Sequence, residues 1–449
     1  MTDKVTPPQT SRDDGATSFK DCVSSDTSPR TPKDDDTADS EDSVSIGASS
    51  QALANDDTTE FGDFVSTEDE EIELEEVVEP WEKYDPKVTP NVFYPICLGD
   101  TLNERYLIEH KIGAGGFSTV WMAHDLQENK DVAVKVLSTG DWGDIELRIQ
   151  DEIVRSVQDR SHLVTYSDTF ILNRNDCHHR VMVFPLMGPC LDRYTVTKLA
   201  MSTRMSAAKQ LLKALEALHN AGILHRDLNE RNCLWGMAPL HNLSRSAKYE
   251  ALTRPLKQTI RAVELWKPGE LVRPIQVPGN LRTEDFYLGD FGLAMKLGDP
   301  VAQPGYPPLQ FCSPERLHGE DPSFACDMWS YMINFAELYQ GQPPFNPWYR
   351  GGILMTITAF LGPLPEQWKG SYVFADGHDS WYDHNQTPDT KKTLASELAR
   401  YRPDADPAER ELVLSIMQKI FIYSPEERLT ATQLLADPSF KALMARYGC

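Results

Sequence analysis

The order of two hydrophobic patterns constrains the fold of this chain more than any other feature. Between residues 105 and 187, apolar residues alternate with polar ones in short runs such as DVAVKVL and RVMVFPLMG, which is typical of β-strands. One helical stretch, DIELRIQDEIVRSVQ, interrupts these runs. After residue 200 the apolar spacing becomes three or four, as in RMSAAKQLLKALEALHNAG, which is typical of helices. Strands first and helices afterwards predict an α+β fold, with a small antiparallel-sheet lobe joined to a larger, mostly helical lobe.

The formal charge of −24 is concentrated at one end of the chain. Residues 1–80 carry 23 Asp and Glu against five Lys and Arg, and they contain few aromatic residues. Such a segment cannot bury enough apolar surface to fold alone, so we predict an acidic disordered tail over 1–80, a lead-in over 81–98 and a folded domain over 99–449. The acidity argues against direct binding of nucleic acid or anionic membranes and favours basic partners.

The cysteine pattern and the start of the chain bear on the compartment. The eight cysteines are scattered, with no C-x-x-C pair and no zinc-binding spacing. The chain begins with MTDKVTPPQT, which has no apolar signal region, and no run approaches 18 apolar residues. We therefore expect a reduced, soluble protein of the cytoplasm, the nucleus or both, without a membrane partner. We expect it to be a monomer.

Two motifs in the strand-rich part suit phosphoryl transfer, which depends on positioning and on neutralising phosphate charge. The run GAGGFSTV over 113–120 lies between two strand patterns, and its glycines let backbone N–H groups approach phosphate oxygens, although alone it also fits a flexible hairpin. Lys135 follows in the apolar strand VAVK, where an unpaired charge would be costly. The α and β phosphates and a glutamate of the next helix would satisfy it. We predict Glu152 as this glutamate, with Glu146 in reserve.

Two motifs in the helical part would supply a base and metal ligands. In HRDLNERN over 225–232, Asp227 would accept or orient the proton of a substrate hydroxyl, and Asn232 would hold a Mg²⁺ ion. In the DFG motif, Asp290 would chelate Mg²⁺ across the β and γ phosphates. A helix-capping Asp and a turn Asn are the alternative interpretation of the first motif, and an ordinary turn is that of the second. The order and spacing of all four motifs favour catalysis.

In this order the motifs resemble those of the eukaryotic protein kinases, over about residues 99–449. The resemblance implies the bilobal protein kinase fold, with an N-lobe over 99–187 and a C-lobe over 188–449, ATP and Mg²⁺ as cofactors, and protein substrates. It implies structural roles in the helical lobe for an acid–base pair and for a carboxylate beneath the catalytic loop, namely Glu315, Arg428 and Asp327. The nucleotide-binding residues that it implies are Ile112, Gly113, Ala114, Gly115, Gly116, Phe117, Ser118, Val120, Ala133, Lys135, Phe184, Leu186, Met187 and Leu234.

Several features are similar to the SR-protein kinases in particular. They are YPICLGD before the first strands, Ser118 in place of a glycine, Phe184 at the gatekeeper position, and GPLPEQW in a late insertion. Insertions cover about 236–284 and 363–407, and SR-protein kinases carry one at the first of these points. We interpret the first insertion either as a tolerated surface loop or as a docking or regulatory element.

The resemblance to SR-protein kinases implies basic, Arg/Ser-rich substrates. The second insertion is acidic and offers carboxylates that could dock such peptides, although a solvated loop also accounts for them. These carboxylates are Asp376, Asp379, Asp383, Asp389, Glu397, Asp404 and Asp406.

Two departures from the serine/threonine kinase pattern leave the hydroxyl specificity open. Asn229 stands where those kinases have Lys, and Pro308 stands where they have Thr. Tyrosine kinases also lack both residues and often have Arg at the position of Arg231. We hypothesise that Arg231 supplies the missing positive charge. The upstream motifs and the insertions favour serine/threonine specificity over tyrosine specificity.

The segment from Leu293 to Ser313 contains no Ser or Thr before its last residue, only Tyr306, so we predict activity without phosphorylation there. A pseudokinase scaffold is the alternative from another class. The departures above and the polar Ser156, where an apolar residue is expected one turn after Glu152, favour it, but a scaffold has no chemical need for a base and two metal ligands. A small-molecule kinase is disfavoured because the segment resembles a peptide-binding platform.

Overall fold

The structure is a computed structural model, and it describes residues 61–65, 74, 77–174, 177–301, 305–346, 352–374 and 391–449. The strands in this part of the chain are β1 (Asp63–Phe64), β2 (Thr101–Leu102), β3 (Tyr106–Ala114), β4 (Ser118–Asp125), β5 (Lys130–Leu137), β6 (Asp168–Arg174), β7 (Cys177–Pro185), β8 (Ile223–Leu224), β9 (Cys233–Met237), β10 (Leu256–Thr259), β11 (Glu270–Val272), β12 (Arg282–Leu288) and β13 (Met295–Lys296). The α-helices there are α1 (Trp142–Ser156), α2 (Arg193–Val196), α3 (Met201–Asn220), α4 (Arg245–Leu252), α5 (Pro314–Leu317), α6 (Phe324–Gln340), α7 (Gly352–Leu361), α8 (Leu394–Tyr401), α9 (Pro407–Gln418), α10 (Ala431–Ala436) and α11 (Pro438–Arg446).

The small lobe is a six-stranded antiparallel sheet in the order β2-β3-β4-β5-β7-β6. Valines of β5 and β7 and the ring of Trp121 are fully buried in its core, as expected for β-branched and aromatic residues on a pleated face. Helix α1 follows β5 directly. The sheet therefore holds Lys135 of β5 within reach of the helix that comes next in the chain.

The large lobe is helical and is built around α6. Nearly every side chain of this helix is buried, which is the pattern of a helix enclosed on all sides. The helix ends at Gly341, whose positive φ of 75° closes it in the left-handed conformation that glycine adopts without strain. Two of the helices after it, α9 and α11, begin at Asp caps followed by Pro, at Asp406–Pro407 and Asp437–Pro438. The predicted bilobal α+β fold is confirmed.

Short strand pairs bring the two catalytic motifs together. Strand β9 pairs antiparallel with β12, with Cys233 opposite Leu288, so the chain leaves and returns to the same place despite the long insertion between them. The amide of Gly289 donates to the carbonyl of Asn232 at 2.9 Å. The HRD loop and the DFG motif consequently lie side by side below the small lobe.

The ordered body begins earlier than the sequence predicted. Tyr84 and Phe93, which fall in the expected lead-in, are buried against each other and against the first insertion. Within the expected tail, β1 pairs in parallel with β10, and Glu79 forms a buried ion pair with Lys111 of β3. Composition did not reveal these contacts because they join segments far apart in sequence.

The first insertion packs on the small lobe, so its interpretation as a loose surface loop is wrong. Helix α4 buries Lys248, whose Nζ lies 2.8 Å from Glu109 Oε2 of β3 and 2.5 Å from Asp131 Oδ1 of β5. The hydroxyl of Tyr249 donates to the carbonyl of Glu109 at 3.0 Å. Leu252 and Val277 of the insertion pack with Met122 of β4. The insertion leaves the large lobe and returns to it, and between these points it is attached to the sheet.

The second insertion is partly packed as well. Trp368 is buried and stacks on His318, just after α5, with ring centroids 5.0 Å apart. Of the acidic residues expected to dock peptides, Asp404 pairs with Arg402 and Asp406 with Arg446, while Asp376, Asp379, Asp383 and Asp389 lie outside the described residues. Across the described part of the chain, none of the helices has the length and apolar character to cross a membrane.

Candidate active site

A cleft of about 300 Å³ lies between the lobes, and most of the residues predicted to bind nucleotide line it. Those that do are Ile112, Gly113, Ala114, Gly115, Ser118, Val120, Ala133, Lys135, Phe184, Met187 and Leu234. A Cβ added at Gly113 or Gly115 would meet no atom within 4 Å, so the glycines border open space. The cleft is apolar along its walls and charged at one end, which fits a purine base and a polyphosphate.

Three of the predicted nucleotide contacts are not among the residues that line this cleft. Gly116 lies at the tip of the loop, and its carbonyl accepts a hydrogen bond from Lys83 at 3.1 Å. Phe117 stacks on Trp142 of α1. Leu186 packs against the first insertion and against the core of the small lobe. A motif gives the position of a residue along the chain, but not the direction in which its side chain points.

The cleft also has lining residues that the sequence did not identify. These are Val164, Pro185, Gly188 and Gly289; Glu146, which the sequence analysis gave only in reserve, lines the cleft as well. Three of them adjoin a predicted motif and could have been included with it. Val164 has no such signal, because contacts between segments far apart in sequence bring it to the cleft, among them the bond of its amide to the carbonyl of Leu288.

The glutamate that pairs with Lys135 is Glu146, so the prediction of Glu152 is wrong. Lys135 Nζ lies 2.8 Å from both carboxylate oxygens of Glu146. Glu152 instead pairs with Lys296 and Arg155. The two glutamates are six positions apart in the sequence, which places them about 120° apart around the helix.

The periodicity of α1 carries the signal that the sequence analysis missed. The buried face of the helix is Glu146, Ile149, Gln150 and Ile153, spaced three and four apart. Glu152 falls outside this series. An apolar residue is expected one turn after the glutamate that pairs with Lys135. That position is consequently occupied by the polar Gln150 rather than by Ser156.

Lys135 also lies 2.9 Å from Asp290 Oδ1 of the DFG motif. Burial alone would lower the pKa of Lys135, but the carboxylates of Asp290 and Glu146 more than offset this and raise it. The same lysine holds the pKa of Asp290 below its ordinary value. Both groups are therefore charged at neutral pH, and the Asp290 side chain is half exposed toward the cleft.

The carboxylate of Asp227 is held by two amides of its own loop. Asn229 Nδ2 donates to Oδ1 and Asn232 Nδ2 donates to Oδ2, both at 3.0 Å. Burial, together with the charge of Asp290, raises the pKa of Asp227 to about 7. Asn229 thus occupies the lysine position of the motif as a neutral donor to the candidate base, and a carboxyl with this pKa is suited to proton transfer near neutral pH.

Backbone geometry around these residues is unusual. Arg226 and Asp290 have positive φ values of 67° and 57°, a conformation that costs energy for residues other than glycine and is concentrated at functional sites. Asp327 of α6 stabilises the backbone conformation of Arg226, because its carboxylate accepts hydrogen bonds from the backbone amides of His225 and Arg226 at 2.8 Å. The His225 ring bonds the carbonyl of Gly289 at 3.1 Å. The structural role expected of Asp327 is confirmed.

The predicted pair in the helical lobe is also present. Arg428 donates to both oxygens of Glu315, at 2.6 and 2.7 Å, and both side chains are almost completely buried. Burial alone would raise the pKa of Glu315, but Arg428 more than offsets this and lowers it. The pair joins the end of the 293–318 segment to the C-terminal helices.

Two arginines of the HRDLNERN loop face different ways. Arg231 is exposed and lines the cleft beside Asn232 and Asp290. Arg226 is buried and donates to the carbonyls of Leu293 at 3.0 Å and Gly305 at 3.3 Å. The loop therefore presents one cation to the cleft and uses the other to hold the segment after DFG.

Among the described residues, no group of three or more His, Cys, Asp or Glu side chains is arranged to hold a metal ion. Asp290 and Asn232 offer one carboxylate and one amide at the charged end of the cleft. This incomplete set suits a divalent ion that binds through one or two protein oxygens together with substrate phosphates. The donors fit a metal that arrives with a nucleotide.

A sheet lobe over a helical lobe, with these charged groups at one end of a purine-sized cleft, defines an enzyme that transfers a phosphoryl group from a nucleotide. The chain belongs to the protein kinase domain family, whose profile matches residues 106–248 and 278–440. The unmatched residues between these ranges fall in the first insertion. Enzymes with this domain use ATP and a divalent metal ion and act on proteins.

Curated relatives agree with this assignment. The chain is 24% identical over 386 residues to a serine/threonine protein kinase of Aspergillus fumigatus, covering 81% of this chain and 92% of that protein. It is 25% identical over 373 residues to serine/threonine-protein kinase AFC3 of Arabidopsis thaliana, covering 78% and 85%. Over 169 residues it is 31% identical to SRSF protein kinase 3 of Mus musculus, covering 34% and 29%. The resemblance to SR-protein kinases is confirmed.

Proposed function

We propose that this chain transfers the γ-phosphoryl group of Mg-ATP to Ser or Thr hydroxyls of protein substrates. The observation that carries the proposal is the contact of Lys135 with both Glu146 and Asp290, in a cleft beside the Asp227 carboxylate that two amides of its own loop hold. A scaffold that only binds nucleotide would need the contacts of Lys135, but it would have no use for a base such as Asp227. The similarity to enzymes named serine/threonine protein kinases supports serine/threonine specificity.

Each residue has a separate task in this proposal. Lys135 binds the α and β phosphates and is kept in place by Glu146. Asp290 and Asn232 hold the divalent ion, which when bound neutralises charge on the phosphates. Asp227 orients the substrate hydroxyl and accepts its proton, with its carboxylate fixed by the amide of Asn229.

Transfer of label from γ-labelled ATP by the purified full-length chain tests the proposal, with Mg²⁺ and Mn²⁺ compared. Asp227→Asn keeps the shape of the side chain and the fold but removes the base, so we expect it to lower kcat by about 10²- to 10⁴-fold. Glu284→Gln, at an exposed site, is the matched control and should behave as the wild-type chain does. No transfer to any polypeptide by folded wild-type protein contradicts the proposal.

Arg/Ser-rich proteins are the substrates that we favour. The similarity to a kinase named for SRSF proteins and the acidic balance of the chain support this choice. Because Asp404 and Asp406 are paired within the lobe, we do not assign docking to them. Arrayed peptides with Arg-Ser repeats, Ser-Pro sites or Tyr test it, and preferential labelling of the Arg-Ser peptides is the expected result.

Tyrosine specificity is the second candidate, and the position of Arg231 favours it. Arg231 lines the cleft four residues after Asp227, where tyrosine kinases often place an arginine. In either case we assign to Arg231 the positive charge that Asn229 lacks. Arg231→Ala should lower kcat severely with little change in the dissociation constant of ATP. Unchanged turnover would remove this role, and preferential labelling of Tyr peptides would select the second candidate.

We also propose that the enzyme is active without phosphorylation of the segment after DFG. Arg226 already donates to two backbone carbonyls of that segment, which is the support that a phosphate group would otherwise provide. Phosphatase-treated protein should keep full activity. Inactive treated protein that an upstream kinase restores would contradict this.

A further inference from the structure

The tip of the glycine-rich loop rests on helix α1. The ring of Phe117 stacks on that of Trp142, with centroids 3.9 Å apart and planes inclined by 22°. The carbonyl of Phe117 accepts the amide of Ser138 at 2.8 Å, just beyond the end of β5. Neither ring is among the residues that line the nucleotide cleft. The stack therefore belongs to the wall of the small lobe and contacts α1 at its first residue.

Trp142 lies one turn before Glu146 on the same side of α1, at the i, i+4 spacing that makes helix residues neighbours. Glu146 in turn holds Lys135. The chain of contacts thus runs from the loop tip through two aromatic rings and one helical turn to the lysine that faces the phosphates.

The first turn of α1 packs closely on the sheet. A Cβ at Gly143 would lie 2.3 Å from Cβ of Arg180 in β7, so the helix approaches the strand as closely as a glycine allows. The neighbouring Asp144 pairs with the same arginine at 2.6 Å. The first turn of α1 is therefore packed directly on β7, and Glu146 follows on the next turn of the same helix.

A residue outside every motif holds the same loop tip from the other side. Lys83 Nζ donates to the carbonyl of Gly116 at 3.1 Å. The backbone of Lys83 is itself fixed, because its carbonyl accepts the amide of Phe93, which is buried. The loop tip is thus bounded by the lead-in segment on one side and by α1 on the other.

We propose that Phe117 and Trp142 are positioning residues that couple closure of the glycine-rich loop over the nucleotide to the Lys135–Glu146 pair. With the ring of Phe117 on Trp142, the loop is closed and α1 keeps Glu146 against Lys135. When the loop lifts, α1 loses the contact at its first residue. The inference rests on the proposed transfer from ATP and adds the route by which nucleotide binding stabilises the catalytic arrangement.

The test uses the full-length chain with Phe117→Ala, Trp142→Ala and the double variant. Phe117→Tyr, which keeps a ring, and Leu126→Ala, at a side chain 54% exposed in the same lobe, are the controls. Measurements are kcat, KM for ATP, melting temperature, and amide hydrogen exchange of 142–156 and 113–120 with and without the non-hydrolysable analogue AMP-PNP. Loss of one aromatic stack should lower kcat/KM by about 3- to 10-fold.

Coupling has a distinct signature in these data. We expect the double variant to be no worse than the more affected single variant, because both remove one contact. We expect AMP-PNP to protect 142–156 in the wild-type chain and both controls but not in the alanine variants, which should still show protection of 113–120. Melting temperatures should change little, because Phe117 is 39% exposed.

Three results would overturn the proposal. They are additive losses in the double variant, nucleotide-dependent protection of 142–156 that persists in both alanine variants, or loss of that protection already without nucleotide together with a large fall in melting temperature. Failure of the proposed function is recognised separately, because the wild-type chain itself would then transfer no phosphate, whether or not it binds AMP-PNP.

Discussion

Glu146 and Glu152 have the same side chain and lie on the same helix, but their surroundings make their ion pairs contribute different amounts of free energy. Glu146 is buried and bonded to Lys135, whereas Glu152 meets Arg155 and Lys296 near the surface. A charge-assisted hydrogen bond inside the cleft contributes about 1.5–3 kcal/mol, and an exposed ion pair contributes less than about 1 kcal/mol. One isosteric substitution at each position therefore separates the two.

We expect Glu146→Gln to lower kcat/KM for ATP by about 10- to 100-fold, because Lys135 then loses the charged partner that orients it. Glu152→Gln is the matched control, and its effect should be less than about fivefold. Steady-state kinetics at varied ATP concentration measures both. A larger loss in Glu152→Gln than in Glu146→Gln would show that the pairing in the active enzyme differs from the one described.

Asp227 gives the enzyme a pH dependence at the same scale. Its pKa is raised to about 7 from an ordinary value near 3.8, and the ionised form is the one that can accept a proton. We expect kcat/KM to fall as the pH drops below about 7 and to be level above it. The decline of kcat should have its midpoint at a lower pH than the decline of kcat/KM. The reason is that a metal bound to Asp290 would offset the charge that raises the pKa of Asp227.

A stability measurement provides an independent check on Asp227. A carboxyl group whose pKa is raised on folding stabilises the folded state while protonated, and that contribution is lost as the pH rises from about 4 to 7. Asp227→Asn should therefore unfold at a higher temperature than the wild-type chain at pH 8, with a smaller difference at pH 5. A lower melting temperature for the variant at pH 8 would mean that the carboxylate is not buried as described.

At the scale of elements, the first insertion behaves as part of the small lobe. Helix α4 presents Lys248 to carboxylates on β3 and β5, all three with side chains almost completely buried. Removing one member of such a group leaves the others charged and without compensation, at a cost of about 3–5 kcal/mol. The insertion is thus attached by a contact that tolerates little change.

We expect Lys248→Met to lower the free energy of unfolding by about 3–5 kcal/mol, measured with denaturant and a fluorescence signal. Lys130→Met is the control on the same sheet, since Lys130 is 41% exposed and, among the residues that the structure describes, forms an ion pair with Glu128 alone, at the surface. Its effect should stay within about 1 kcal/mol. Equal stability of the two variants would show that α4 is not anchored through this ion pair.

At the scale of the whole molecule, the boundary of the folded body lies before residue 99. Glu79 pairs with the fully buried Lys111 and accepts the hydroxyl of Tyr84 at 2.5 Å. The charge of Lys111 has no other carboxylate within 4.0 Å among the described residues. The segment before the predicted domain therefore neutralises a cation that is buried inside that domain.

A chain consisting of residues 99–449 should be poorly soluble or should melt well below the full-length protein, because it retains Lys111 and lacks Glu79. A chain consisting of residues 61–449 removes no described contact and should melt within a few degrees of full length. Thermal unfolding of the three proteins compares them. Equal melting of 99–449 and the full-length chain would restore the boundary predicted from composition.

The sequence by itself determined the two-lobed α+β fold and the residues to which the proposed chemistry is assigned. Lys135, Asp227, Asn232 and Asp290 could be found because each lies in a short motif whose internal spacing is set by local backbone geometry. Their order along the chain reflects the order of the strands and helices that carry them. Local spacing and chemical type are properties of the sequence.

Only the tertiary structure decided which glutamate meets Lys135, which residues before 99 pack on the small lobe and what the first insertion contacts. Each of these depends on which face of an element is turned inward, or on pairing between segments far apart, as with Glu79 and Lys111 or Glu109 and Lys248. Such pairings are selected by burial, since a charge removed from water must find its partner wherever the fold brings one. Distance along the chain carries no information about that choice.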